Sequence, residues 1–229
     1  MSIISSAPSN FDEANPLSWN NARPRKRSPR APQVFIDPCL PTKVGKAPSG
    51  DIWAHEIKHD GYRIQIHVGA RGVRLYTMSG YDWTDRYPLI VEAARKLNGT
   101  AIIDAEAAII GPSGVSDFEA LHNRERNSEA VAWAFDLMMQ DGDDLRALPW
   151  LDRRRRLKKL LGRRPLGLSY NEEQLGEGPD VFEAACRMGL EGIVSKEVHA
   201  SYRSGRSRAW LKIKNPEAPA TLRLKEPSS

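Results

Sequence analysis

Short runs of alternating apolar and polar residues place the strongest constraint on how this chain folds. From Ile52 onward, the segments WAHEIKH, RIQIHVG and VRLYTM alternate with the period of two that is typical of β-strands. Glycines mark the turns between them, at Gly61 and within residues 69–72. We therefore predict an antiparallel meander of three strands in this part of the chain.

The rest of the chain predicts a mixture of helices and strands. Helical spacing of apolar residues predicts helices at residues 88–99, 116–126, 149–161 and 179–189. We expect Ser116 to cap the second of them. Apolar runs predict further strands at residues 100–110, 130–140, 191–198 and 208–214. Together these elements indicate an α+β fold.

The composition supports a buried core and an anionic partner. With 229 residues, 40% of them hydrophobic, the chain is long enough for one sizeable domain or two small ones. The formal net charge is +5 and the pI is about 9.3, which favours a polyanion as partner. Charge alone does not separate nucleic acid from acidic lipid or a soluble phosphate compound.

The cysteines and the apolar runs bear on the cellular compartment. Cys39 and Cys186 form no CxxC pattern, so the sequence suggests neither a disulfide framework nor a structural zinc site. No apolar run approaches the roughly 20 residues that span a bilayer. The N-terminus also lacks the basic-then-apolar order of a secretory signal. We predict a cytoplasmic protein with no membrane among its partners.

Two segments are strongly basic. Residues 1–33 are rich in Ser, Pro, Asn and Arg without hydrophobic periodicity, which predicts a disordered basic arm. A phosphate-binding arm and a tail with no task both remain open for this segment. In LDRRRRLKKLLG, Leu157, Leu160 and Leu161 have helical spacing. This favours an amphipathic helix with a solvated basic face over a nucleic-acid patch.

Ionised residues interrupt several of the predicted strands. They are Lys58, Glu106, Asp136, Glu191, Lys212 and Lys214. A buried charge without a partner costs several kcal/mol, so these residues need solvent or one another. Strand alternation places the last two on the same face. The set predicts a cleft suited to phosphates and a divalent metal, although each residue alone is compatible with an exposed strand face.

The amine of Lys58, beside the Asp60–Gly61 turn, is a candidate nucleophile. A lysine nucleophile must be neutral, whereas a lysine ammonium has a reference pKa of about 10.4. Positive charge from Lys212, Lys214 and a metal held by carboxylates favours the neutral amine. The same cations stabilise charge on phosphoryl oxygens and on a departing pyrophosphate. The cluster predicts attack by Lys58 on an electrophilic phosphorus.

The order of these pieces resembles the ATP-dependent DNA ligase family. KHDGYR (58–63) resembles its KxDGxR nucleotidyltransferase motif, and IIDAEAAI, AFDLM, EGIVSK and WLKIK resemble its later motifs in the same order. The likeness is closest to the ligase domains of bacterial end-joining ligases. It implies an α+β nucleotidyltransferase (ATP-grasp-like) domain of antiparallel sheets flanked by helices over residues 34–216, followed by a short tail at 217–229.

The resemblance implies a role for each matched residue. Lys58 would form a phosphoramidate with AMP, and Glu106 and Glu191 would hold Mg²⁺. The residues implied in ATP binding are Glu56, Ile57, Arg63, Phe135, Lys196, Lys212 and Lys214. ATP and Mg²⁺ are then the cofactors. The partner is nicked or broken double-stranded DNA, which the enzyme seals during DNA repair.

Three features depart from the family pattern. Met78 stands where an arginine is expected in the segment Tyr76–Gly80, and a methionine cannot grip a phosphate. Ala105 replaces the glycine of a DGE motif, which adds one methyl. The residues after Lys214 are too few and too proline-broken for the oligonucleotide-binding barrel that usually follows. We expect a minimal enzyme, with a protein partner as one source of that barrel.

Two alternatives to this ligase remain open at the level of the sequence. One is a catalytically weak module that binds a nucleotide and DNA ends, which the departures favour. The other is an RNA ligase or RNA-capping enzyme on the same catalytic core. The intact lysine and carboxylate positions favour an enzyme.

Overall fold

Two β-sheets form the framework in the computed structural model, which describes residues 35–162 and 166–223. The predicted arm at 1–33 lies outside these residues. The first sheet is antiparallel except for one parallel pair at its edge, between its first two strands. Its strands lie in the order β1 (Cys39–Lys43), β11 (Gly205–Lys214), β10 (Gly192–Glu197), β2 (Trp53–Ile57) and β9 (Glu173–Leu175).

The second sheet is built around four antiparallel strands in the middle of the chain. Its strands lie in the order β4 (Gly72–Thr77), β3 (Tyr62–Gly69), β5 (Ala101–Ala108), β6 (Val131–Gln140) and β7 (Asp143–Asp144). The short strand β8 (Leu168–Tyr170) pairs in parallel with β6. The two sheets therefore divide the chain between a central segment and its two flanks.

The described residues also form five α-helices. They are α1 (Pro88–Arg95), α2 (Phe118–His122), α3 (Trp150–Leu161), α4 (Gly178–Arg187) and α5 (Pro219–Arg223). The helices α1 and α3 pack against the second sheet, whereas α4 packs against β10 and β2 of the first. Within the described residues, none of these helices has the length and apolar character needed to cross a membrane.

An apolar cluster joins the two sheets to each other. Ala54 and Trp210 from the first sheet pack in one cluster with Ile102 and Met138 from the second and with Trp150 of α3. All five are almost completely buried. Because tightly packed interiors deform little, this cluster fixes how the two sheets face each other.

Most predicted elements are present, but the predicted three-strand meander is wrong. The strands β3 and β4 form a hairpin as expected. In contrast, β2 pairs with β10 and β9 in the other sheet. The chain crosses between the sheets at Lys58–Gly61, where a Cβ on Gly61 would collide with the carbonyl oxygen of Ala107. The glycine therefore marks a crossing with close backbone approach, not a hairpin turn.

The helix predicted at 116–126 is shorter than expected. It occupies Phe118–His122, and its N-cap is Asp117, whose side chain accepts a hydrogen bond from the Ala120 backbone N–H. The predicted cap at Ser116 is therefore wrong. Arg124 has a φ of 65°, which is incompatible with continuing the helix.

Several elements were absent from the predictions. The strand β1 contains Pro41, and β7, β8 and β9 have only two or three residues each. A strand that contains a proline and a strand of two or three residues both show too little alternation of apolar and polar residues to be recognised in the sequence. The helix α5 falls within the segment predicted as a tail.

The basic face of α3 was predicted to be solvated, but two of its arginines are buried. Leu157 and Leu161 are buried as expected, but Arg153 and Arg154 are also fully buried. Arg153 Nε and Nη2 each donate to the Asp136 carboxylate at 2.8 Å. Asp136 is completely buried and therefore belongs to the fold, not to the cleft where the sequence placed it as a candidate.

Removing the Asp136 carboxylate leaves the Arg153 guanidinium buried without its counter-charge. We expect Asp136→Ala to lower the free energy of unfolding by about 3–5 kcal/mol. The matched control is Asp152→Ala, because Asp152 pairs with Arg155 at 3.1 Å on the exposed face of the same helix. The control should cost under about 1 kcal/mol. Urea denaturation measures both, and equal losses would contradict a structural role for the buried pair.

The His67 ring makes stability depend on pH. Burial lowers the pKa of His67 to about 4, so the folded chain binds fewer protons than the unfolded chain between about pH 4 and 6.5. Stability therefore decreases as the pH falls through that window. We expect His67→Gln to reduce this loss by up to roughly 1 kcal/mol per pH unit, measured by urea denaturation at several pH values. An unchanged slope in His67→Gln would contradict this role for His67.

Candidate active site

A cleft of about 790 Å³ opens between the two sheets. The first sheet and the residue following β2 contribute five of the predicted site residues to its walls. These are Glu56, Ile57, Lys58, Lys196 and Lys212. The second sheet contributes Arg63, Glu106 and Phe135. The structure therefore brings together most of the residues that the sequence grouped.

Lys58 lies at the mouth of the cleft, immediately after β2. Its backbone N–H donates to the carbonyl oxygen of Gly192 at 3.0 Å, which holds it against β10. The Nζ atom lies 2.6 Å from Glu191 Oε2, and the side chain is 23% exposed. The other oxygen of Glu191 is 2.9 Å from Lys214 Nζ. One carboxylate thus bridges the candidate nucleophile and a lysine of the WLKIK segment.

Positive charge is concentrated beside Lys58. Lys212 lines the cleft, while Lys214 is held next to it by Glu191. Burial lowers the pKa of Lys212, and the nearby charges of Lys58 and Lys214 lower it further. This is the environment that a phosphate group would neutralise.

Lys196 lies deeper in the cleft than a lysine that contacts phosphates at its open end would. Its Nζ is 2.5 Å from Glu56 Oε2, and both side chains are almost fully buried. The same ammonium lies 4.5 Å from the centre of the Phe135 ring and 4.2 Å from that of Trp210. It also donates to the Phe135 carbonyl oxygen at 3.3 Å. Lys196 therefore bridges the two sheets at the inner end of the cleft.

Arg63 is held in place by a bidentate ion pair. Its Nε and Nη2 donate to the Asp104 carboxylate at 2.9 and 2.6 Å. The Tyr202 hydroxyl donates to the same carboxylate at 2.9 Å. The guanidinium carbon lies 5.3 Å from the Phe135 ring centre. The arginine and the aromatic ring thus form one ordered wall.

The two predicted metal ligands differ in their surroundings. Burial raises the pKa of Glu106 to about 7, against the influence of Lys58 and Arg63. No hydrogen bond or ion pair to the Glu106 carboxylate occurs within residues 35–162 and 166–223. Both oxygens of Glu191, in contrast, contact lysines.

The donor set fits a shared metal site better than a closed one. Across the part of the chain that is described, no three His, Cys, Asp or Glu side chains cluster closely enough to enclose a metal ion. Mg²⁺ is commonly bound by one or two carboxylates together with substrate phosphates and water. Glu106 and Glu191 fit such a site and could hold Mg²⁺ jointly with a phosphate.

Ala105 and Met78, the two residues that depart from the family pattern, lie in different surroundings. Ala105 lies within β5 and is completely buried in the apolar core of the second sheet. Its extended backbone accepts a side chain without strain. Met78 is 49% exposed at the rim of the cleft.

Residues at the cleft that the sequence analysis missed are His59 and Asn171, which line it, and Trp133, which packs against His59. The His59 ring stacks on Trp133 at 4.3 Å, and its Nε2 lies 3.2 Å from Asn171 Oδ1. Burial lowers the pKa of His59 to about 4, so the ring is neutral near pH 7. Trp133 and Phe135 are two residues apart on β6, and this spacing is the one signal in the sequence that could have found Trp133. Asn171 gave no such signal.

Comparisons with known proteins agree with this geometry. A family model described as an ATP dependent DNA ligase domain matches residues 41–214. The "Multifunctional non-homologous end joining protein LigD" of Pseudomonas aeruginosa is 36% identical over 202 residues, which is 84% of this chain and 24% of that protein. The chain thus spans about a quarter of the length of this relative.

Solved structures give the same result for the fold. A mycobacterial DNA ligase D complexed with ATP and MES has a TM-score of 0.71 and 32% identity, covering 78% of this chain and 60% of that one. The ligase domain of LigD from M. tuberculosis has a TM-score of 0.71 and 33% identity, covering 78% and 59%. The predicted α+β nucleotidyltransferase architecture is confirmed. Because the family model covers well over half of the chain and includes Lys58, Glu191 and Lys214, this chain belongs to the ATP-dependent DNA ligase domain family.

Proposed function

We propose that this chain is the adenylating domain of an ATP-dependent DNA ligase, which transfers AMP from ATP to Lys58 and then to DNA. The observation that carries the proposal is the Lys58 amine, 2.6 Å from Glu191 and beside Lys212 and Lys214 at the mouth of a cleft between two sheets. A nucleophile held rigidly beside cations meets the two requirements of phosphoryl transfer, which are positioning and charge stabilisation.

The first step forms one bond and breaks one. The Lys58 nitrogen attacks the α-phosphorus of ATP, an N–P bond forms, and the bond to the bridging oxygen breaks so that pyrophosphate leaves with the electron pair. Attack requires loss of an ammonium proton, and Glu191 Oε2 is an acceptor at hydrogen-bond distance. Lys212 and Lys214 stabilise negative charge on the phosphates.

The inner cleft supplies recognition of the nucleoside. Glu56 contacts the adenine, Phe135 stacks on it, and Ile57 packs beside it at the end of β2. Arg63, fixed by Asp104, contacts the ribose. Lys196 pairs with Glu56 at the inner end of the cleft and holds that carboxylate in place. Glu106 and Glu191 would hold Mg²⁺, which would neutralise further phosphate charge.

The macromolecular substrate that we propose is nicked or broken double-stranded DNA. AMP passes from Lys58 to the 5′-phosphate of a nick, after which the 3′-hydroxyl attacks and AMP leaves. Lys43, which pairs with Lys212 across β1 and β11, and Arg206 both line the cleft and could contact a DNA phosphate. The names of the relatives support a role in DNA repair by end joining. A protein partner that adds a further DNA-binding surface belongs to the same proposal.

One observation favours a second candidate function. Met78 offers no charge at the cleft rim, where the family pattern expects an arginine. A module that binds a nucleotide and DNA ends with weak catalysis is compatible with this substitution. The two functions differ in whether a covalent lysyl-AMP accumulates.

Labelled ATP tests the proposed function directly. With Mg²⁺, we expect the purified protein to acquire an acid-labile AMP label that Lys58→Ala reduces to background, because the substitution removes the attacking nitrogen. Lys159→Ala is the control, since Lys159 lies exposed on α3, and it should label normally. A wild-type chain without label would support the binding module instead.

Nucleic-acid substrates then separate the ligases. Nicked DNA should discharge the label from Lys58 and become sealed or adenylated, whereas a nicked RNA duplex should not. Preferential discharge by RNA would favour an RNA ligase on the same core.

Glu191 provides a second test of the site. We expect Glu191→Ala to reduce labelling by about 100-fold or more, the effect expected when one electrostatic contributor to a transition state is lost. Circular dichroism should show that the fold is retained. Glu183→Ala, at an exposed glutamate on α4 that pairs with Arg187, is the matched control. Unchanged labelling in Glu191→Ala would remove this carboxylate from the site.

A further inference from the structure

Arg154 is a buried cation that the proposed chemistry does not use. Its Nη2 lies 2.5 Å from Glu173 Oε2 and also donates to the Asn171 carbonyl oxygen. The guanidinium carbon is 3.9 Å from the centre of the Tyr170 ring. Fully buried and held from several directions, Arg154 presents a fixed positive charge behind the cleft wall.

The Arg154 guanidinium lies next to Glu56, the residue that contacts adenine in the proposed function. Arg154 Nη2 is 3.5 Å from Glu56 Oε1, while Lys196 occupies the other oxygen. Glu56 Oε1 is buried and has no hydrogen-bond partner among residues 35–162 and 166–223. A buried acceptor without a donor is costly, so a donor supplied by a ligand in the cleft would satisfy it.

The charge state of Glu56 depends on its neighbours from three elements. Burial raises the pKa of Glu56, whereas Lys196 of β10 and Arg154 of α3 oppose that rise. Glu173 of β9 acts in the same direction as burial. The Tyr170 hydroxyl donates to Glu173 at 2.9 Å and is occupied there. Ion pairs with Lys196 at 2.5 Å and with Arg154 at 3.5 Å therefore oppose protonation of this buried carboxylate.

We propose that Arg154 is a positioning residue for base selection, which keeps Glu56 an acceptor and so favours adenine over a base that carries a carbonyl oxygen at the same position. An ionised carboxylate accepts hydrogen bonds only, whereas a carboxylic acid also donates one. The amino group of adenine is a donor, and the carbonyl oxygen of hypoxanthine is an acceptor. This inference rests on the proposed adenylation, with Glu56 as the contact to the base.

The sharpest comparison replaces ATP by inosine triphosphate, which exchanges that amino group for a carbonyl oxygen. The rate of lysyl-nucleotide formation with each is measured by intact-mass spectrometry in separate reactions. We expect Arg154→Met to lower the preference for ATP over inosine triphosphate by about tenfold. Arg154→Lys, which keeps a charge, should restore most of the preference.

Arg153→Met is the matched control. Arg153 is the neighbouring residue on α3, is equally buried, and forms its own ion pair with Asp136. The control should lose stability in urea denaturation to a similar degree, yet its nucleotide preference should stay within about twofold of wild type. Loss of stability alone therefore does not produce the expected change in preference.

The remaining outcomes separate failure of the inference from failure of the proposed function. A folded Arg154→Met chain with wild-type preference overturns it while leaving the proposed function intact. If Arg154→Met does not fold, Arg154→Gln removes the charge but keeps an amide donor, and failure of both to fold assigns Arg154 to the fold alone. A wild-type chain that forms no lysyl-AMP overturns the proposed function. In that case, the rise in melting temperature that each nucleotide produces measures the preference. If the ratio of the two rises is the same in wild type and in the Arg154 variants, the inference is overturned as well.

Discussion

The register of the first sheet is the constraint on which the candidate site depends. Gly192 pairs with Lys214 across β10 and β11, and Ile193 pairs with Ile57 across β10 and β2. This pairing brings the C-terminal end of β2, the N-terminal end of β10 and the C-terminal end of β11 together at the same end of the sheet. Lys58 and Glu191 lie immediately beyond their strands, so Lys58 comes within hydrogen-bond distance of a carboxylate that is 133 residues further along the chain and that also contacts Lys214. A slip of one residue would turn every side chain of a strand to the other face and disperse these charges.

Paired charges also join the two sheets along the cleft. Lys196 of the first sheet donates to the backbone carbonyl of Phe135 in the second while it pairs with Glu56. Arg63 and Asp104 form a bidentate pair within the second sheet, on the wall that faces Lys196. Buried ions of this kind stabilise a fold only when each has its partner, so removing any one member leaves an uncompensated charge. The network therefore contributes order to the cleft wall more than it contributes net stability.

The sequence predicted local structure well and long-range pairing poorly. The period of two located β3 and β4, apolar runs located β5, β6 and β10, and helical spacing located most helices. The pairing predicted for β2 was wrong because, in the sequence, a glycine where the chain crosses between sheets cannot be distinguished from a glycine in a hairpin turn. The arginines of α3 gave no contrast between a buried and an exposed face, so only the tertiary structure identifies Arg153 and Arg154 as buried. The resemblance located Lys58, Glu191 and the two lysines of WLKIK, whereas the His59–Trp133 stack depends on packing that no local pattern encodes.

In the proposed mechanism, Glu191 connects activation of the Lys58 nucleophile with binding of its substrate. Its two oxygens contact Lys58 and Lys214, and an ammonium stabilised by a carboxylate is a poor nucleophile. A triphosphate entering the cleft would offer Lys214 and Lys212 alternative anions, and a cation held by Glu106 and Glu191 would compete for the Glu191 carboxylate. Both changes would weaken the contact between Glu191 and the Lys58 side chain. In the proposed mechanism, binding of the phosphates therefore leaves the Lys58 side chain free to approach the phosphorus, which couples reactivity to occupancy of the cleft.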